Sequence, residues 1–562
     1  MRSVFWLLGL PFRALAWVFR RIRLWVSRYT VLKLHLHGEM ADRHQAPGLL
    51  AALSSRPRGP SLVDVLIALD RARRDRRIQA VIIELGQLHS GLARSEELRD
   101  ALHAVVAAGK PVAIYFENPS LGAYLASVGA SHLCLAPSGE LSITGMCSEI
   151  TFFKGLLDKI GLRAQLVARG KYKSARETFA ANEMSDASRE MANALVDDLF
   201  EQAVDNIALA RDLSTDQVRA ALDAGPLRAD EAKEHKLIDQ LGDYSALRAW
   251  VKEQVGKYRA VNLHRYLTLS GHLCRGKAVP IAVIDVGGHI KSGRSSHGPD
   301  GPQSTGSRSF VRALKAVHHD DDIRAILLRV DSPGGSALAS DLMYQALQDA
   351  RVDKPIVISM GDVAASGGYF VAGLHDCPIF ASHSTITGSI GVLGGKFEAR
   401  ELYEKLGIKK EIVSRGKRAR YLSDYSAFNE DESAKLERDL DAFYRDFVSK
   451  MADGRGKTYE EMHELAQGRV WTGRQAEGVG LTDRRGGYLA ALGEIRKILE
   501  LDEDRSLALV EAVAEKRRFP LRVEWNMPEQ ALPRLLRQPL LMARHFEHDR
   551  IFALLPFDIR FR

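Results

Sequence analysis

The chain has 562 residues, 46% of them hydrophobic and 27% charged, which sets it among globular proteins of more than one domain and excludes a disordered chain. A net charge of +8, from 79 Lys and Arg against 71 Asp and Glu, is modest for this size and gives no footing for nucleic-acid binding. The four cysteines, Cys134, Cys147, Cys274 and Cys377, show neither metal-ligand spacing nor a disulfide framework, so buried free thiols and no metal are expected.

Charge is concentrated at the start. No Asp or Glu occurs before Glu39, while Arg2, Arg13, Arg20, Arg21, Arg23, Arg28 and Lys33 alternate with Phe5, Trp6, Trp17, Phe19 and Trp25, a composition suited to an anionic membrane surface. The apolar run over residues 4–19 is interrupted by Pro11 and Arg13. It falls short of the roughly 20 apolar residues that span a bilayer. No small-residue cleavage site succeeds it, so a removed signal peptide is not expected. Residues 1–30 are read as a membrane-associated helix, lying in the interface or spanning marginally, and the flanking arginines favour the cytoplasmic side.

From Val31 the pattern becomes strand-like, and most of the chain up to about residue 500 consists of two related copies. The run beginning at Ile78 returns at Ile323, and 323 − 78 gives a spacing of 245. Lys110-Pro111-Val112 returns as Lys354-Pro355-Ile356, Ile143-Thr144-Gly145 as Ile386-Thr387-Gly388, Lys159-Ile160-Gly161 as Lys405-Leu406-Gly407, and Leu237-Ile238-Asp239 as Leu481-Thr482-Asp483. Nearly constant spacing over so many matches marks a duplicated domain, with a period far too long for a solenoid. Buried-strand runs alternate with amphipathic stretches at 95–108, 187–210, 309–318 and 430–451, which argues α/β layering in each copy. The division expected is 31–250 for the first copy, 251–278 for a linker, 279–500 for the second copy and 501–562 for a basic tail without counterpart in the first. The tail is open to three readings: a second membrane contact, a subunit interface, or packing on its own domain. The stretch 287–309, rich in Gly, Ser and Pro, is expected to be a mobile loop.

Two glycine turns in the second copy carry chemistry. Ala325-Ile326-Leu327-Leu328-Arg329-Val330 runs into Asp331-Ser332-Pro333-Gly334-Gly335-Ser336, a rigid turn whose amides suit an oxyanion hole. Pro355-Ile356-Val357-Ile358-Ser359-Met360 runs into Asp362-Val363-Ala364-Ala365-Ser366-Gly367-Gly368-Tyr369, where a serine among small residues at a strand-to-helix turn suits a nucleophile elbow.

These two motifs and Thr387-Gly388-Ser389-Ile390-Gly391, in this order and spacing, resemble the long, tandem form of the bacterial signal peptide peptidase A (protease IV) family. The resemblance covers roughly residues 32–499. It implies two tandem Clp/crotonase-like α/β domains, no cofactor, and a serine–lysine dyad that cleaves remnant signal peptides and other unfolded or membrane-embedded peptides. It also implies a homotetramer at the bacterial inner (cytoplasmic) membrane, with the catalytic part on the periplasmic side, which conflicts with the charge cue.

A serine hydroxyl needs a neighbouring base. His375 and His383 are the nearest histidines, but neither lies in the turn around Ser389 where the related Clp proteases place theirs. In the short members of the family the lysine comes three residues after a helix-starting glycine. In the second copy that place, after Gly416, holds Ala419; in the first copy, after Gly170, it holds Lys173. Conversely, Leu121 of the first copy falls where Ser366 falls. Each copy has lost what the other keeps, so Lys173 is the expected base and Ser366 the expected nucleophile, with Lys417 the runner-up base. The resemblance further implies that the amides of Gly335 and Gly367 form the oxyanion hole and that Ser389 orients the amine. Two rival functions are a crotonase-like acyl-CoA enzyme and a catalytically silent membrane scaffold.

Overall fold

The computed structural model describes residues 29–42, 60–273, 275–298, 301–512 and 551–554. Of the membrane-associated helix expected over residues 1–30, residues 1–28 lie outside the described residues, as does Cys274, and no described helix is long and apolar enough to cross a membrane.

Both halves are built on one parallel sheet pattern. In the first, Val31–Glu39, Ala80–His89, Val112–Phe116 and His132–Leu135 lie side by side, with Ala260–Asn262 beyond the first strand and Gln240–Leu241 beyond the last. In the second, Arg275–Gly287, Ala325–Ser332, Ile356–Ala365 and Ile379–Ala381 repeat that order, edged by Arg505–Glu511 and Arg484–Arg485. The central strands are apolar on both faces, as at Val81, Ile82 and Ile83 or Ile326, Leu327 and Leu328, because helices cover both sides. The chain is an α/β protein of two tandem domains built on one parallel-sheet pattern.

Arg505–Glu511 runs parallel beside the first strand of its sheet, as Ala260–Asn262 does in the first half. The expectation that nothing after residue 501 has a counterpart is thus corrected: the apolar Leu507 and Leu509 complete the second sheet edge. The stretch read as a linker holds the strand Ala260–Asn262 and the helix Leu263–Leu269. The expected loop at 287–309 also differs. It contains the strands His289–Lys291, Ser296–Gly298 and Gly301–Gly306. Here a hydroxyl that ordinarily favours turns ties two sheets together: Thr305 Oγ1 accepts from the Gly287 amide at 3.0 Å and donates to its carbonyl at 2.9 Å. Of the described cysteines, Cys134 and Cys377 are buried free thiols, but Cys147 is exposed because it lies in a segment outside any helix or strand.

The long helices are framed by their ends. Asn429 and Glu432 form a capping box at the start of Glu430–Arg455, and Gly456 closes it in the left-handed region. Its buried stripe, Leu436, Leu440, Tyr444, Phe447, Val448 and Met451, packs on the nucleophile helix Gly367–Ala372 through Phe370.

A third sheet joins the halves. Arg163–Arg169 of the first pairs antiparallel with Val392–Glu398 of the second over seven positions, from Arg163↔Glu398 to Arg169↔Val392. Beyond Val392–Glu398 lie in turn Ile551–Leu554, Gly334–Ser336 and His289–Lys291. The core is shared as well, since Leu327, Val357, Phe380 and Tyr488 join the cluster containing Leu34, Val81 and Ile114.

Candidate active site

Four strands, Ile356–Ala365, Ala325–Ser332, Ile386–Gly388 and Arg163–Arg169, end at the seam. Ile356–Ala365 delivers Ser366, which has φ 57° and ψ −113°, a conformation that a residue with a Cβ rarely adopts. The surroundings hold it there: its amide donates to the Gly388 carbonyl at 2.7 Å, and Gly367–Ala372 begins at the next residue. This is the geometry of a nucleophile elbow.

Ala325–Ser332 leads through Pro333 into Gly334–Ser336. A Cβ placed on Gly367 would stand 3.2 Å from both the Gly334 Cα and the Gly335 nitrogen, so the backbones of the two candidate oxyanion donors face each other beside Ser366. On its other side Gly335 lies against the Ile290 carbonyl, which leaves no space for a side chain.

The first half supplies the amine. After Arg163–Arg169 the Tyr172 amide donates to the Gln467 carbonyl at 2.8 Å, tying the turn to the second half. Lys173 then reaches across the seam, with Nζ 2.8 Å from Ser366 Oγ, 3.0 Å from Ser389 Oγ and 3.0 Å from the Ser389 carbonyl oxygen. The three partners are uncharged oxygens. Lys173 is 1% exposed, and Ser366 and Ser389 are fully buried. Burial therefore drives the Lys173 ammonium well below the ordinary lysine range, towards the neutral amine. Ser389 also has positive φ, 54°, and its amide donates to the Arg469 carbonyl at 2.6 Å, which aims its hydroxyl at Nζ.

The sequence profile of peptidase family S49 matches this chain over residues 104–257 and 348–502, once in each half. The chain belongs to peptidase family S49. It is 30% identical over 499 residues to the chloroplastic serine protease SPPA of Arabidopsis thaliana, covering 86% of this chain and 72% of the relative. It is 31% identical over 468 residues to Protease 4 of Salmonella typhi, covering 81% and 75%. A putative signal peptide peptidase SppA of Enterococcus faecium is 32% identical over 197 residues, covering 35% and 57%. The chain is thus a serine peptidase of the S49 family.

Within this S49 peptidase, Ser366, Lys173, Ser389, Gly335 and Gly367 come together, and the other lysine and the histidines do not. The Lys417 side chain is 77% exposed and paired with Asp431. His375 sits at the surface beside Asp376, at 2.7 Å. His383 faces Glu477 at 3.6 Å, and burial lowers its pKa. Leu121, at the repeat position of Ser366, is an ordinary core residue.

Two supporting groups went unread in the sequence. One is Gln467-Gly468, which packs on the lysine turn; its only signal was the glycine. The other is an ionic cluster across the seam. Arg94 of the first half bonds Asp42 at 2.9 Å, Asp362 at 2.8 Å and Asp331, and its amide donates to Asp362 at 3.0 Å. Arg329 of the second half bonds Asp42 at 2.8 Å and Glu97 at 2.8 Å. Burial by itself would raise the Asp42 carboxyl, but the Arg329 and Arg94 guanidiniums outweigh it and hold it below the usual range. Asp331 and Asp362 flank the two glycine turns, and that position was their signal.

Proposed function

We propose that this S49 peptidase is an endopeptidase working through a Ser366/Lys173 dyad. The observation that carries this is the 2.8 Å approach of a desolvated lysine amine to a serine hydroxyl held at an elbow. Ser366 Oγ attacks a peptide carbonyl while Lys173 Nζ takes its proton. The amides of Gly335 and Gly367 stabilise the oxyanion, each worth about 2.7–4 kcal/mol in the transition state. Lys173 then protonates the leaving amine, and the acyl-enzyme is released by a water that the regenerated neutral amine deprotonates. Ser389 keeps the amine on line through its hydroxyl and carbonyl.

The substrates proposed are extended apolar peptides, above all remnant signal peptides, in keeping with the name of the Enterococcus faecium relative. The basic, aromatic-rich sequence before Glu39 supports work at a membrane surface, here assigned to the inner membrane, and a homotetramer enclosing the sites is proposed from the family resemblance. The test is labelling and substrate class together. A serine-directed phosphonate should modify Ser366 stoichiometrically and abolish cleavage of an apolar peptide. Turnover of acyl-CoA with no peptide cleavage would favour the crotonase-like alternative, and no turnover of either the silent scaffold.

A further inference from the structure

Three successive residues stand between the base and the serine that steers it. The Gln467 carbonyl accepts from the Tyr172 amide at 2.8 Å, the Gly468 amide donates to the Ile390 carbonyl at 2.7 Å, and the Arg469 carbonyl accepts from the Ser389 amide at 2.6 Å. The first of these bonds reaches the lysine turn of the first half, and the other two reach the Ser389 turn of the second. The backbones are in close contact on both sides. A Cβ placed on Gly170 would stand 2.4 Å from the Gln467 carbonyl carbon, and one placed on Gly391 would stand 3.0 Å from the Gly468 Cα. The Arg469 guanidinium lies over the Tyr172 ring, 4.9 Å from its centre, and donates to the Tyr172 hydroxyl at 3.2 Å. The segment is therefore a spacer whose thickness sets how far Lys173 Nζ stands from Ser389.

This conformation has to be held. Gln467 has φ 48° and Gly468 has φ 77°, and a left-handed residue with a side chain persists only where its surroundings fix it. Tyr444 does so for Gln467: its hydroxyl accepts from the Gln467 amide at 3.2 Å. Tyr444 belongs to the buried stripe of Glu430–Arg455, and burial pushes its phenol up to about 12, so the hydroxyl keeps its proton. That proton has a taker. His463 Nδ1, from the helix Tyr459–Leu465, stands 3.0 Å from the Tyr444 oxygen. Because the oxygen already accepts from Gln467, the hydroxyl is left to donate to the imidazole.

We propose that Gln467-Gly468-Arg469 is a strap that fixes the spacing between Lys173 and Ser389, and that Tyr444, backed by His463, is the positioning residue that anchors it. This rests on the dyad reading above. Both residues act through the strap rather than on the reacting atoms. Without the anchor the Gln467 amide loses its partner, the turn lifts, and water reaches the lysine amine. The amine then leaves its line to Ser366 and regains part of its affinity for a proton.

The experiment compares the full chain with Tyr444→Phe, which keeps the ring and removes the hydroxyl. Tyr124→Phe is the control, since the Tyr124 hydroxyl makes a buried bond of the same kind elsewhere in the core, to the Leu237 carbonyl at 2.7 Å. Against an apolar peptide, Tyr444→Phe should lower kcat by about 10-fold or more with KM little altered. The acid limb of kcat/KM should move up by about one pH unit. Tyr124→Phe should change neither. His463→Ala should follow Tyr444→Phe in direction, and His463→Asn, whose amide oxygen can take the Tyr444 proton, should recover most of the loss. The Lys173 amine is also titrated directly, by NMR of enzyme carrying isotope-labelled lysine, with Lys173→Met assigning the signal. Its midpoint should rise in Tyr444→Phe as the acid limb does. Unchanged kcat and an unchanged midpoint in Tyr444→Phe overturn the inference, and so does an equal kcat loss in Tyr124→Phe. His463→Asn no better than His463→Ala overturns the share given to His463. Should no form hydrolyse peptide, the peptidase reading fails while the NMR midpoint still decides the strap.

Discussion

Gly468 and Lys173 are pressed together: a Cβ placed on Gly468 would stand 2.6 Å from the Lys173 nitrogen and 2.7 Å from its Cα and Cβ. Gly468 also has φ +77° and donates its amide to the Ile390 carbonyl at 2.7 Å, so it cannot retreat without disturbing the turn that carries Ser389. Gly468→Ala should push the lysine off its line to Ser366. A displacement of about 1 Å is expected to lower kcat about 100-fold with KM little altered. Steady-state kinetics checks this, with circular dichroism showing that the fold survives.

Lys173 sets the pH dependence. The free enzyme must hold a neutral amine, so kcat/KM should rise with pH along one acid limb and level off well below the ordinary lysine pKa. His383→Ala should leave that limb in place. Stability carries the same sign: a lysine whose folded pKa is depressed contributes fully above its unfolded value, and that contribution is lost as pH falls towards the folded one. Between the two values the wild type should gain about 1.36 kcal/mol per pH unit relative to Lys173→Met. Denaturant melts of both proteins from pH 7 to pH 9 measure the slope.

Arg94 holds three carboxylates from both halves, and removing it leaves Asp42, Asp331 and Asp362 with a lost partner. Arg94→Ala should destabilise the chain by about 3–5 kcal/mol, the usual cost of stranding buried charge. A lower urea midpoint with a proportionate fall in activity is expected. An unchanged midpoint would show that the cluster does not weld the halves.

Gly335 is packed on the Ile290 carbonyl and faces Gly367 across the candidate oxyanion hole. Gly335→Ala should therefore cost about 100- to 1,000-fold in kcat, the loss seen when one oxyanion donor is misplaced. Phosphonate labelling of Ser366 should slow in parallel.

The duplication and the apolar strands were legible because burial on both faces leaves continuous apolar runs such as Ile326-Leu327-Leu328, and repeat position singled out Lys173 from Lys417. The seam was not legible. Arg163–Arg169 pairs with a strand more than 220 residues away, and its short mixture of arginine, glutamine and small apolar residues reads equally well as surface. Arg94 looked like any helix-face arginine until folding set it against Asp331 and Asp362. The Ser- and Thr-rich stretch after Gly287 carried turn-forming residues, yet the Thr305 hydroxyl bonds to the end of a neighbouring strand instead. Ile551–Leu554 is four residues long, too short to announce a strand without the two edges that receive it.

The most direct measurement is steady-state peptide hydrolysis by purified Ser366→Ala and Lys173→Ala, each shown to be folded by circular dichroism. The dyad predicts that both fall by about 10,000-fold or more, because nucleophile and base act as one unit. Near-normal turnover by Lys173→Ala would contradict it.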